Sequence, residues 1–338
     1  MDKKVMIGLG LSFTLLLTAG CQKGGHRDAH PEGAKYKIAF VTSPHGEDDH
    51  HSKGGDEEGE GANREIHIID ADGKNERRLT KNPVGDTEPA WSPDAKRIVF
   101  VSNRDKNDEL YIIEIETGKI TRITNNTAID CQPSWSPDGK HIAFVSDRRK
   151  KNWDIYIMDT DGKNVKQVTD GAGVEAQPAW SPDGTKLTYI QQGNPSDKSG
   201  NRWDVYICDA FTGENAKKVS TFKGINFSPT WLPDGKRLIY MSTRDDNEDL
   251  YILNIETGKE KRLTNDDGAE DMPSVSPDGK QVAFMHAKTT KEGEIHDIYI
   301  MDSDGKNWKR LTKSPASDFN PRWSPVPVEF KFKDKPKK

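Results

Sequence analysis

The chain has 338 residues and a formal net charge of −5, with 32% hydrophobic and 31% charged residues, the makeup of a water-exposed globular protein with a modest core. The acidic balance argues against nucleic acid as the main partner, because phosphate binding needs a basic face. Length alone suggests two domains, a prior that an internal repeat overrides.

The first element is a targeting segment, residues 1–20. Lys3 and Lys4 supply a positive start, and Val5 to Leu17 a mostly apolar core too short for a comfortable membrane span. Leu17-Thr18-Ala19-Gly20-Cys21 resembles a bacterial lipobox, with the leucine one place further from the cysteine than is usual. The resemblance implies cleavage before Cys21 and lipidation of its thiol and new amino group. The other reading is an ordinary secretory signal with an incidental cysteine. Acyl chains at Cys21 would hold the protein on a membrane surface without spanning it. Gln22 follows where an aspartate would favour inner-membrane retention in enterobacteria, which leans towards the outer membrane. Residues 21–35 form a polar tether rich in glycine, histidine and charge.

Tyr36 to Val41, Glu65 to Asp70 and Arg77 to Thr80 read as three strands. Between the first two lies His45 to Gly61, HGEDDHHSKGGDEEGEG. His45, His50 and His51, among acids, are candidate ligands for zinc or nickel. No HExxH or paired CxxC spacing defines a site there, and an acidic insertion is the alternative.

A repeat then takes over. In the copy at Trp135, Ser136-Pro137-Asp138-Gly139 is turn chemistry: proline presets φ, aspartate bonds its local backbone, and glycine accepts positive φ. Ile142 to Val145 is an apolar run fit for a strand buried on both faces. Asp154 to Asp159 is a second strand, Asp161-Gly162 a hairpin signal, and Val165 to Thr169 a last, more polar strand. Trp91, Trp135, Trp180, Trp231 and Val275 each mark a four-strand unit, and Phe319 to Pro325 supplies an isolated inner strand around Trp323. Joined to the three strands at the start, it makes a sixth unit. The expected fold is all-β: a six-bladed β-propeller with four antiparallel strands per blade, closed by pairing of N- and C-terminal segments. Such closure removes two exposed sheet edges.

The unit P-x-W-S-P-D-G-K-x-I-A-F-V-S … D-I-Y-x-M-D … R-L-T resembles the WD40-like (PD40) repeat of the TolB β-propeller family, over about residues 31–325. The propeller proper is placed at 36–325, with a basic tail over 326–338. TolB carries an α/β domain before its propeller, whereas here the tether leads straight into the first blade. A TolB-like protein is therefore expected, not TolB itself.

Asp70 to Asn75, Asp159 to Asn164 and Asp302 to Asn307 look like the opening of a calcium loop, but each joins strand to strand and is expected to be a hairpin turn. An acid opens the third strand of every blade: Glu65, Glu109, Asp154, Asp204, Asp249 and Asp297. With Arg104, Arg148 and Arg244 in the preceding loops, these read as repeated, exposed structural pairs. Cys131 and Cys208 fall in different blades and read as separate small apolar residues. His67, His141, His286 and His296 read as packed or singly exposed. Ala95 stands at a turn position that is glycine in the copies at Trp135, Trp180, Trp231 and Val275.

Five residues before each marker come Asp86, Asp130, Glu175, Asn226, Glu270 and Asp318. The fold would set them around one mouth of the central channel. Three before the marker come Glu88, Gln132, Gln177, Ser228, Met272 and Asn320, a mostly polar second ring. Clustered carboxylates focus a negative potential, which can hold a divalent cation or receive a basic or amide-rich segment of a partner. Acid at a loop end can equally be turn chemistry repeated because the blade is.

The resemblance implies a non-enzymatic scaffold in the periplasm-facing cell envelope, binding a protein or peptidoglycan-associated partner as a monomer, with no cofactor required. The alternatives are a carbohydrate or peptidoglycan binder, or a propeller enzyme working in the channel. The chain carries no Gly-x-Ser-x-Gly elbow.

Overall fold

The second strand of each blade is where the apolar run goes. Ile142, Ala143, Phe144 and Val145 are all buried, as are Ile98 to Val101 and Ile38 to Val41. Burying both faces of this strand needs a neighbouring blade on each side, so the repeat makes a stable body only in series. The computed structural model describes residues 35–43, 63–149, 152–193, 202–290, 293–313 and 315–329. The targeting segment, Cys21, most of the tether, the loop with His45, His50 and His51, and the tail from residue 330 lie outside them.

The described residues form six four-stranded antiparallel sheets. Blade 1 takes its inner strand, Ser317–Trp323, from the end of the chain, followed by Lys37–Ser43, Glu65–Asp70 and Arg77–Arg78. Ile38 pairs with Trp323 and Thr42 with Asp318. The inner strands of blades 2 to 6 are Asp86–Trp91, Asp130–Trp135, Glu175–Trp180, Asn226–Trp231 and Ala269–Val275. Each inner strand touches the next, and that of blade 1 touches that of blade 2, so the ring closes as expected. Lys35 and Val328 add one more bridge, with Val326 and Val328 against the core around Trp91 and Ile98.

Three of the marker tryptophans fasten blade to blade. The indole N–H of Trp91 donates to the Arg322 carbonyl at 2.9 Å, that of Trp180 to Ser134 at 3.1 Å and that of Trp231 to Ala179 at 3.2 Å. In the turn after Trp135, Ser136 Oγ accepts from the His141 N–H and donates to Asp138, while Gly139 takes φ 73°. The Asp-x-Asp-Gly runs are hairpin turns: the Gly73, Gly162 and Gly305 N–H groups close on Asp70, Asp159 and Asp302. Cys131 and Cys208 are both free thiols.

The pairing of the third-strand acids differs from the sequence expectation. Their partners come mainly from the outer strand: Arg122 to Glu109 at 2.9 Å, Gln167 to Asp154 at 3.0 Å, Lys218 to Asp204 at 2.7 Å and Arg310 to Asp297 at 2.9 Å; Asp204 also pairs with Arg202, just before its own strand, at 2.7 Å. These acids are buried, not exposed. The hydroxyl ending the R-L-T motif completes the device. Thr124 Oγ1 accepts from the Leu110 N–H at 2.8 Å, Thr264 from Leu250 at 2.8 Å and Thr312 from Ile298 at 2.9 Å. Arg104 and Arg148 reach in the opposite direction, to the inner strands.

Candidate functional site

The inner strand of each blade is short and bent three residues before the marker. Glu88, Gln132, Gln177, Ser228, Met272 and Asn320 all adopt left-handed φ, between 51° and 56°. The strand pairing slips by one residue there in every blade. A non-glycine residue costs energy in that conformation, and six repetitions mean that the surroundings impose it. The polar side chain of one blade accepts the backbone N–H of the next. Glu88 Oε2 takes the Gln132 N–H at 2.6 Å, Gln132 Oε1 that of Gln177 at 2.7 Å, and Gln177 Oε1 that of Ser228 at 2.6 Å. The chain of bonds changes at blade 6, where the Met272 N–H turns back to Asp271 at 2.6 Å. The buried Asn320 Oδ1 of blade 1 has no hydrogen-bond partner.

The first-position residues are fully buried, so they stand within the blades and not at an open rim: Asp86, Asp130, Asn226 and Glu270 are 0% exposed, Glu175 and Asp318 1%. In blades 2 and 3 the carboxylate is held by arginine. Arg104 Nη2 donates to Asp86 Oδ1 at 2.8 Å and Arg148 Nη2 to Asp130 Oδ1 at 2.9 Å. Each guanidinium lies over a tyrosine, Tyr111 at 4.8 Å and Tyr156 at 4.7 Å, which lowers the cost of burying it. The amides of Asn82 and Asn126 donate to the same carboxylates, both at 2.6 Å.

The other blades solve the same position differently. In blade 5 the acid is replaced by Asn226, whose amide donates to the Trp203 carbonyl at 2.8 Å, and Arg244 bonds Glu260 and the Tyr240 hydroxyl instead. In blade 4, Gly193 stands where the arginine would be, and Glu175 receives the Gln191 amide, at 3.0 Å. Burial, then the neighbouring Asp154, pushes the Glu175 carboxyl up. In blade 6 Glu270 faces His286 at 2.8 Å, and burial, with Asp266 beside it, pushes its carboxyl up to about 7. In blade 1 the Thr42 hydroxyl donates to Asp318 at 2.9 Å.

Two features escaped the sequence reading. The residue before the marker is small in five blades (Ala90, Ser134, Ala179, Thr230, Ser274) but Arg322 in the sixth. Burial lowers the Arg322 pKa, while the charges of Glu88 and Asp271 act the other way. Burial also lifts Glu88 to about 7. A comparison of that column across the repeats would have exposed the arginine. The second is His286, which is not singly packed but joins Glu270 and Asp266.

Residues 148–289 match the TolB β-propeller domain. The Tol-Pal system protein TolB of Francisella tularensis (strain WY96-3418) is 35% identical over 126 residues, 37% of this chain. That match spans 28% of the relative's own length. Among solved structures, TolB from Acinetobacter baumannii superposes with a TM-score of 0.71 at 27% identity, covering 86% of this chain and 67% of that one. A putative TolB from Agrobacterium tumefaciens gives 0.62 at 19% identity, covering 87% and 99%, and shares the fold. The matched repeats and the fold are similar to those of the TolB-like propellers.

Proposed function

We propose that this chain is a non-enzymatic binding module of the bacterial cell envelope, whose inner strands receive a polar segment of a protein partner. The likeness to TolB over most of the propeller carries the reading. The proposal puts the contact on residues of the inner strands. Asp86 and Asp130 are committed to the chain's own arginines and asparagines, so they shape the ring from within. Glu88, Asp271 and Arg322 are partly exposed and of both signs, clustered where the blade-to-blade bonding changes. Mixed charge beside backbone-bonding amides suits a peptide segment carrying both donors and acids. Lipidation of Cys21 and a place on the periplasm-facing side of the outer membrane belong to the same proposal.

The test is a crosslinked pull-down from native membranes with the whole chain, wild type against Glu88→Gln/Arg322→Ala. The isosteric glutamine keeps the acceptor for the Gln132 N–H, so the ring is preserved. One envelope protein captured by the wild type and lost from the variant is the expected result. Equal capture by both removes the inner strands from the binding surface. Cosedimentation with purified peptidoglycan, without any protein partner, would favour the carbohydrate-binding alternative.

A further inference from the structure

Blade 6 departs from blades 2 and 3 at matched positions. Asp86 lies opposite Ser102, and Asp130 opposite Ser146; in blade 6 Glu270 lies opposite His286. Four residues before the acid, Asn82 and Asn126 become Asp266. Two residues after the serine, Arg104 and Arg148 become Lys288, exposed on a strand that runs on to Thr290. In blades 2 and 3 the buried carboxylate thus receives an amide and a guanidinium. In blade 6 the amide donor is exchanged for a second carboxylate, the guanidinium is lost, and an imidazole in place of the serine faces the acid.

The geometry of that exchange is specific. Glu270 is 0% exposed, and while its Oε1 meets His286 Nδ1 at 2.8 Å, its buried Oε2 has no hydrogen-bond partner. His286 Nε2 stands 3.8 Å from Asp266 Oδ2, too far for a hydrogen bond. One ligand atom from each of the three side chains falls within 4.8 Å of the other two. Ligands about 2.0–2.2 Å from a tetrahedral ion lie about 3.4 Å from one another, so an ion would draw the widest of these gaps in by up to about 1.4 Å. The loop is built around the histidine. A Cβ on Gly268 would come within 2.2 Å of His286 Cε1. The Asn247 amide ties the loop by the Gly268 carbonyl at 2.7 Å, and Tyr299 packs edge-on against the imidazole at 4.8 Å.

Two carboxylates set together around a buried oxygen repel each other unless a proton or another positive charge lies between them. We infer that Asp266, Glu270 and His286 bind a divalent transition-metal ion of the zinc or manganese class, which neutralises blade 6 as the arginines neutralise blades 2 and 3. One imidazole with two carboxylates suits such ions better than calcium, which prefers an all-oxygen shell.

The experiment uses the whole chain with His45, His50 and His51 changed to alanine, so that the other histidine cluster cannot report. Zn2+ uptake is read by calorimetry and by the Tm, and Mn2+ by pulsed electron paramagnetic resonance. One ion per chain, a raised Tm and a single imidazole-nitrogen coupling are expected. Asp266→Asn/His286→Ser, which installs the residues of blades 2 and 3, should abolish all three. Should that double variant unfold, Asp266→Asn alone, at an exposed position, should weaken uptake at least tenfold. No uptake by the histidine-loop variant, or uptake unchanged by Asp266→Asn, overturns the assignment.

Discussion

Blades 2 and 3 bury an aspartate under an arginine that also packs on a tyrosine; blades 4 and 6 bury a glutamate without one. The backbone is the same in all four, down to the left-handed residue three before the marker. The repeat therefore dictates geometry, while charge is settled blade by blade. Where the acid is lost but the arginine kept, Arg244 re-pairs with Glu260. In blades 4 and 6, where the arginine is lost, the acid lengthens to glutamate and takes an amide or an imidazole. One arc of the ring is thus neutralised by fixed guanidinium groups. The other holds carboxyls that burial pushes up, and these can answer to pH or to a bound ion.

The harshest way to break this contrast is to make blade 3 resemble blade 4 without adjusting its acid. Arg148→Ala leaves Asp130 buried with no cation, a loss of about 3–5 kcal/mol. Asp130→Asn/Arg148→Ala should recover most of it, because Asn226 shows that a neutral side chain fits this position. Urea unfolding of the two variants measures the difference. Equal stability of both would mean that the charge pair is not what holds the blade.

The propeller was legible because its signals are local and repeated: a turn with proline and glycine, an apolar run, a polar last strand. The charge network was only half legible. Arg104 lies within a few residues of Glu109 in sequence, and nothing in the spacing says that it reaches back to Asp86, 18 residues earlier. Strand register decides that, since Asp86 faces Ser102 and brings Arg104 over itself. Burial of the first-position acids was likewise hidden, because loops from the neighbouring outer strand cover them. Nothing in its own stretch marks Asp266; only its counterparts Asn82 and Asn126, which donate to carboxylates, set it apart. Arg322 is a departure from a column of small residues, visible only once the column is known to face inward.

Glu88 sharpens the contrast through pH. It occupies the place that Gln132 and Gln177 hold in the next blades, and burial lifts its carboxyl from 4.5 to about 7. A carboxyl whose folded value lies above its unfolded value must ionise at a cost. Stability should fall as pH rises from about 4.5 to about 7 and level off above, by at most about 3 kcal/mol. Glu88→Gln keeps the acceptor for the Gln132 N–H and should flatten that part of the stability–pH profile. A variant with the wild-type slope would assign the titration elsewhere.

Thr124→Val tests the outer half of the same blade. The hydroxyl accepts the buried Leu110 N–H, so its removal should cost about 1–3 kcal/mol. The same change at Thr264 or Thr312 should cost a similar amount, because this device, unlike the inner ring, is alike in blades 2, 5 and 6. Unequal losses across the three blades would show that the outer strands vary as much as the inner ones.

The smallest effect concerns a turn. Ala95 holds φ 52° where Gly139, Gly184, Gly235 and Gly279 hold 66° to 73°. Left-handed backbone costs an alanine roughly 1–2 kcal/mol. Ala95 is nevertheless wholly buried, among the core residues around Trp91 and Ile98. Its methyl returns about 0.8 kcal/mol by leaving water, and alanine stabilises by a further ~0.4–1 kcal/mol through a less free unfolded chain. These terms nearly cancel, so Ala95→Gly should change stability by less than about 1 kcal/mol. Gly139→Ala carries the same strain, but its new Cβ would meet only the ring of Pro93, at 3.8 Å. It should therefore be the more destabilising change of the two, and thermal unfolding of the pair reads the order directly. A clear gain from Ala95→Gly would mean that blade 2 carries uncompensated strain in its turn. A clear loss would mean that the methyl contributes more to the packing between blades 1 and 2 than its area predicts.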